Sequence, residues 1–159
     1  MTDLEFFRHT LATIAYRAGK TIRTAPASFA DFKPGPTSKT PVQIVAHLGD
    51  LFEWSLTVMK GEGKWKAATP QGWDQEVARF FASLKAFDDH LISGQPLKAD
   101  IAKLFQGPVG DSLTHIGQLA MLRRMEGHPM KGESYMRADI VIGRVGIEQT
   151  PAKPEYEFE

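Results

Sequence analysis

The chain has 159 residues, 42% of them hydrophobic, which is enough for one domain with its own core. Its 19 basic and 19 acidic residues cancel, so no cationic field recommends DNA, RNA or an anionic membrane as a direct partner. Cysteine is absent, which excludes disulfides, thiolate catalysis and sulfur-ligated zinc or iron–sulfur sites.

The first helix is predicted from Asp3 to about Gly19. Thr2 and Glu5 have capping-box spacing, and Leu4, Phe7, Leu11, Ile14 and Ala18 recur at helical period. The opening residues lack a basic start followed by an apolar run, and no later run is long enough to span a bilayer. The expectation is a cytoplasmic protein without a membrane partner. Residues 21–40 are rich in Pro, Ser and Thr and read as a connector, which Phe29 and Phe32 should fasten to the core. The second helix begins at Thr40-Pro41, where Thr40 caps, Pro41 takes the first turn and Gln43 closes the box. Ile44, Leu48, Leu51, Phe52, Leu56 and Met59 form its stripe, and Gly61 and Gly63 end it.

A loop with Trp65 and Trp73 leads to a third helix over 74–92, lined by Val77, Phe80, Phe81, Leu84, Phe87 and Leu91. A short helix over about 97–105 should follow, then a hinge at residues 106–110. The last long helix should run to about Glu126, with Leu113, Ile116, Leu119, Ala120 and Leu122 facing inward. In the tail, residues 138–149 suit a strand or an extended arm. A lone strand needs a partner, so an arm is the better reading. The expected fold is all-α: one domain, an up-down four-helix bundle with long connections and an extended C-terminal arm.

Three residues suggest chemistry. His47 lies beside the buried stripe of the second helix. Asp111 and His115 are four apart, hence on one face of the last helix. If these faces meet, two imidazoles and a carboxylate form a metal site with room for water or substrate. Asp50 and Gln118 stand three residues after His47 and His115 and could orient the imidazoles. Asp111 could instead be a plain N-cap or first-turn acid, with Asp50 a ligand if Asp111 is spent as a cap, and buried histidines that only bond their neighbours are also common. His9, His90 and His128 are expected near the surface.

Arg123 and Arg124 suit either a substrate carboxylate or the negative end of their own helix, the latter being the simpler reading. Tyr135, Arg137 and Arg144 could fold over a pocket mouth. Trp54 could line a cavity, the core or a dimer contact, and Trp65 and Trp73 a dimer surface or a pocket wall. Neither the GEGK at residues 61–64 nor any serine has the context of a P-loop or a nucleophile elbow.

The segments AHLGDLFEW at residues 46–54 and DSLTHIGQLAMLRRM at residues 111–125 resemble the DinB-like proteins, which include the YfiT-like group of metal-dependent hydrolases. The resemblance implies a four-helix bundle, a homodimer and a divalent metal (zinc, nickel, iron or manganese) held by three histidines. His47 matches the first of these. His115-Ile116-Gly117-Gln118 matches the His-x-Gly-Gln ending of the four-spaced pair, whose earlier member is here Asp111. An Asp-His-His set leaves a bound divalent ion with one positive charge instead of two, so it would be a weaker Lewis acid. The implied activities are hydrolysis or transfer with a low-molecular-weight thiol, on a small molecule. The alternative is a non-catalytic ligand-binding or stress-response protein with a decayed site.

Overall fold

A computed structural model describes residues 1–159 as a mostly helical chain. Four long helices carry it: α1 (Asp3–Ile22), α2 (Pro41–Met59), α3 (Trp73–Ile92) and α5 (Gly110–Met125). A single turn, α4 (Ile101–Leu104), precedes the last of them. The only sheet is a pair of two-residue strands, β1 (Gly132–Glu133) and β2 (Glu157–Phe158), which run antiparallel. No helix is long and apolar enough to cross a membrane.

The helix starts follow the capping chemistry. At α1 the Thr2 hydroxyl accepts from Glu5 N while Glu5 accepts from Thr2 N, and Thr40 and Gln43 repeat the exchange at α2. This satisfies N–H groups that the first helical turn leaves without partners. After α2, Gly61 adopts φ +84°, a conformation that reverses the chain cheaply only at glycine.

Each predicted stripe supplies the core. α2 packs against α3 and α5, and α1 packs against the same two helices. Phe7, Phe52, Phe80 and Phe87 are almost completely shielded. Their rings meet pairwise between α1, α2 and α3, with Phe52 and Phe87 centroids 5.7 Å apart. Burying each such side chain contributes about 2–3 kcal/mol. Leu4, expected in the α1 stripe, is 38% exposed because the stripe meets the core only from Phe7 onward. Phe29 is fully buried, so the connector does return to the core.

Two helix boundaries differ from expectation. Gly19 does not stop α1, which continues for another turn to Ile22. Instead Gly19 admits the tail, since a Cβ there would stand 3.1 Å from the Ile147 carbonyl oxygen.

The larger difference is the expected hinge at residues 106–110. There is no break. α4 passes through a π-helical segment, Phe105–Val109, directly into α5. Leu104, Phe105, Val109 and Gly110 all keep right-handed helical angles. Pro108 lies inside this segment, and the wider π turn absorbs its missing N–H and its ring. The Ser112 hydroxyl donates to the Pro108 carbonyl at 2.6 Å, keeping that oxygen occupied.

Residues 138–149 form an irregular arm, not a strand, with Val145 and Gln149 buried. Arg23 donates to the Gln149 carbonyl at 3.3 Å. The end of the chain is held to α1 by Lys20, which bridges Glu133 and Glu157 at 2.8 and 2.9 Å, and by Tyr16, which donates to Glu133 at 2.6 Å.

Candidate metal centre

α2 and α5 bring His47, Asp111 and His115 together. One ligating atom from each lies within 4.8 Å of the others. His47 Nε2 is 3.2 Å from Asp111 Oδ2, and His115 Nε2 is 3.4 Å from Asp111 Oδ1. Ligand atoms around a tetrahedral zinc are separated by about 3.3 Å, given bond lengths of about 2.0–2.1 Å. The donor set and its spacing therefore fit a divalent ion. The cluster is half-buried: the side chains of His47, Asp111 and His115 are 23%, 43% and 13% exposed.

Asp111 does not cap a helix. The backbone before it is already helical, and its carboxylate accepts from no backbone N–H. Both of its side-chain partners are imidazoles. The N-cap reading fails because Gly107-Pro108 widens the helix without ending it, while Asp111 does stand as the acid in the first turn of α5.

Gln118 sits where its spacing suggested. Its Oε1 accepts from His115 Nδ1–H at 2.7 Å. Nε2 is then the ring nitrogen that faces the Asp111 carboxylate.

Asp50, by contrast, neither orients His47 nor joins the cluster. It is buried and pairs with Arg79 at 2.9 Å while accepting from Ala68 N. Arg79 also reaches Glu76 at 2.8 Å, Glu53 at 3.1 Å and the Ala46 carbonyl at 2.7 Å. Its guanidinium lies against Gly49, where a Cβ would come within 2.9 Å of Cζ. Burial works against the Arg79 charge, but the bonds to Glu76, Glu53 and Asp50 outweigh it and raise the pKa above the ordinary arginine value. Only the three-residue spacing of Glu76 and Arg79 hinted at this network in the sequence.

The network also holds the 60–72 loop, because Ala68 N and Gln71 N donate to Asp50 and Glu76. That loop carries Trp65 to within 5.8 Å of the His47 ring, with Trp54 stacked edge-on behind it at 6.0 Å. Trp54 and Trp65 thus form a wall beside the cluster. Trp73 instead packs on Phe29.

Arg123 and Arg124 lie in the last turn of α5, as the simpler reading had it. Arg123 is buried and donates to the carbonyls of Thr21, Thr24 and His128, fastening the C-terminal end of α1 to its own helix. Burial lowers its pKa. Tyr135, Arg137 and Arg144 engage Arg17, Tyr156 and Asp139, so they serve the tail rather than a pocket mouth. His90 was expected at the surface but is buried, because it faces the core from the last turn of α3. His128 is exposed and bonds Glu126. No family model, curated protein or solved structure matches the chain.

Proposed function

We propose that His47, Asp111 and His115 hold one divalent metal ion in the seam of an up-down four-helix bundle of the DinB-like kind. The observation that carries this reading is the convergence of His47 with Asp111, 64 positions further along the chain, and with His115. The packing of α1 and α2 on both α3 and α5 supports the bundle. A π-helical segment immediately before Asp111 adds support, since such segments recur at functional sites.

When bound, a divalent ion there supplies Lewis acidity toward a small substrate, for hydrolysis or for transfer with a low-molecular-weight thiol. The chain's own residues prepare the site. Gln118 fixes the His115 tautomer, Trp65 shields His47 on one side, and Asp111 removes one unit of positive charge from the centre. The homodimer implied by the resemblance belongs to the same proposal, and light scattering on the purified chain tests it.

The direct test is elemental analysis of untagged protein, beside His47→Ala and Asp111→Ala. One divalent ion per chain in the wild type and none in either variant is the expected result. Protein that takes up no zinc, nickel, manganese or iron would refute the reading. The 3.2 Å His47–Asp111 contact favours a second one: the pair can close on itself by a hydrogen bond, leaving a ligand-binding protein without turnover.

A further inference from the structure

The seam between α2 and α5 holds more than the three ligating residues. A groove of about 410 Å³ opens beside His115. Ile44, Met121 and Leu122 give it apolar walls, while His47 and Trp65 take no part in it. Lys39 lines it with Gln118, and no carboxylate does. Lys39 is exposed and forms no ion pair. Gln118 commits its carbonyl oxygen to His115, and its amide N–H groups are not engaged. The groove therefore combines apolar surface with free donors of one charge sign. Its size is that of sites for small organic ligands.

We propose that this groove binds a small amphipathic carboxylate. The apolar body lies along Ile44, Met121 and Leu122, the carboxylate meets Lys39, and the other end lies against His115. Only the closeness of that end to a bound ion rests on the metal reading above. Burial of the apolar body supplies most of the affinity, and the lysine selects anions over neutral or cationic compounds of the same shape.

Octanoate is the probe, titrated calorimetrically into the full chain with and without zinc, beside octan-1-ol and octylamine. Zinc uptake is measured on the same samples. Saturable octanoate binding is expected, with octylamine excluded. Lys39→Met should weaken octanoate by about two- to fivefold, as for one exposed charge contact, and leave octan-1-ol unchanged. Met121→Glu places a like charge in the groove and should weaken octanoate by about tenfold or more. Both positions are exposed, so thermal melts should show intact folding. Octanoate binding that both variants leave unchanged, or no binding by a chain that does take up zinc, overturns the groove and spares the metal reading. Octanoate binding with the expected variant effects in a chain that takes up no zinc supports the groove and removes the metal reading.

Discussion

Two polar clusters start from neighbouring positions of α2 and come to opposite ends. Asp50 enters a largely buried network in which Arg79 serves Asp50, Glu76, the exposed Glu53 and the Ala46 carbonyl, while Asp50 and Glu76 also take loop N–H groups. His47, three residues earlier, enters a half-exposed cluster in which Asp111 faces two imidazole nitrogens at 3.2 and 3.4 Å and takes no backbone N–H. A largely buried charge set whose carboxylates are met by a guanidinium and by backbone N–H groups is a structural clamp. A half-exposed carboxylate met only by imidazoles keeps its remaining lone pairs open to solvent. The difference lies in burial and in what meets the carboxylates, not in residue type, since both clusters combine carboxylates with nitrogen groups.

The hardest blow to the comparison is Arg79→Leu. It strands Asp50 and Glu76 without their cation, and stability should fall by about 3–5 kcal/mol in urea unfolding. Trp65 should also lose its place beside His47, which tryptophan fluorescence reports. A loss below about 1 kcal/mol would mean that the network is not the clamp described.

The opposite behaviour is expected of the His47 cluster. Adding zinc at about one hundred times its dissociation constant should stabilise the wild type by about 2.7 kcal/mol in thermal melts and leave Asp111→Ala unmoved. Equal stabilisation of both would place the ion elsewhere.

Gln118→Leu sharpens the comparison further, because the one side-chain hydrogen bond it removes is that to His115. Zinc affinity should drop by about ten- to a hundredfold while the metal-free melting point stays put. An unchanged affinity would show that the 2.7 Å contact to His115 does not set its tautomer.

The smallest effect belongs to the tail. The hydrogen bond from Lys20 holds the Glu157 carboxyl below its ordinary value of 4.5. Its ionised form therefore contributes stability above that value, and the contribution is lost as pH falls through the lowered one. With the intrinsic pH dependence of amide exchange divided out, protection of the Ser134 amide, bonded to the Tyr156 carbonyl, should fall below about pH 4.5 while the core amides stay protected. Protection that is constant over this range would show that the Lys20 bridge does not hold the strand pair.

Much of the helical frame was legible in the residues. Thr2, Thr40 and Pro41 mark starts because capping is local chemistry, and the stripes of α2 and α3 repeat every turn because burial is one-sided. The four-residue step from Asp111 to His115, and the three-residue step from His115 to Gln118, likewise put those side chains within reach by helical geometry alone. The sequence by itself therefore determined the helices, their inner faces and the residues able to ligate. Only the tertiary structure decided that Gly107-Pro108 widens a helix instead of breaking it, that Asp50 belongs to Arg79 and not to His47, and that Arg123 ties α1 to α5. Each of these depends on a partner far away in the chain. Local spacing sets where a side chain can point, but packing between helices sets what it meets.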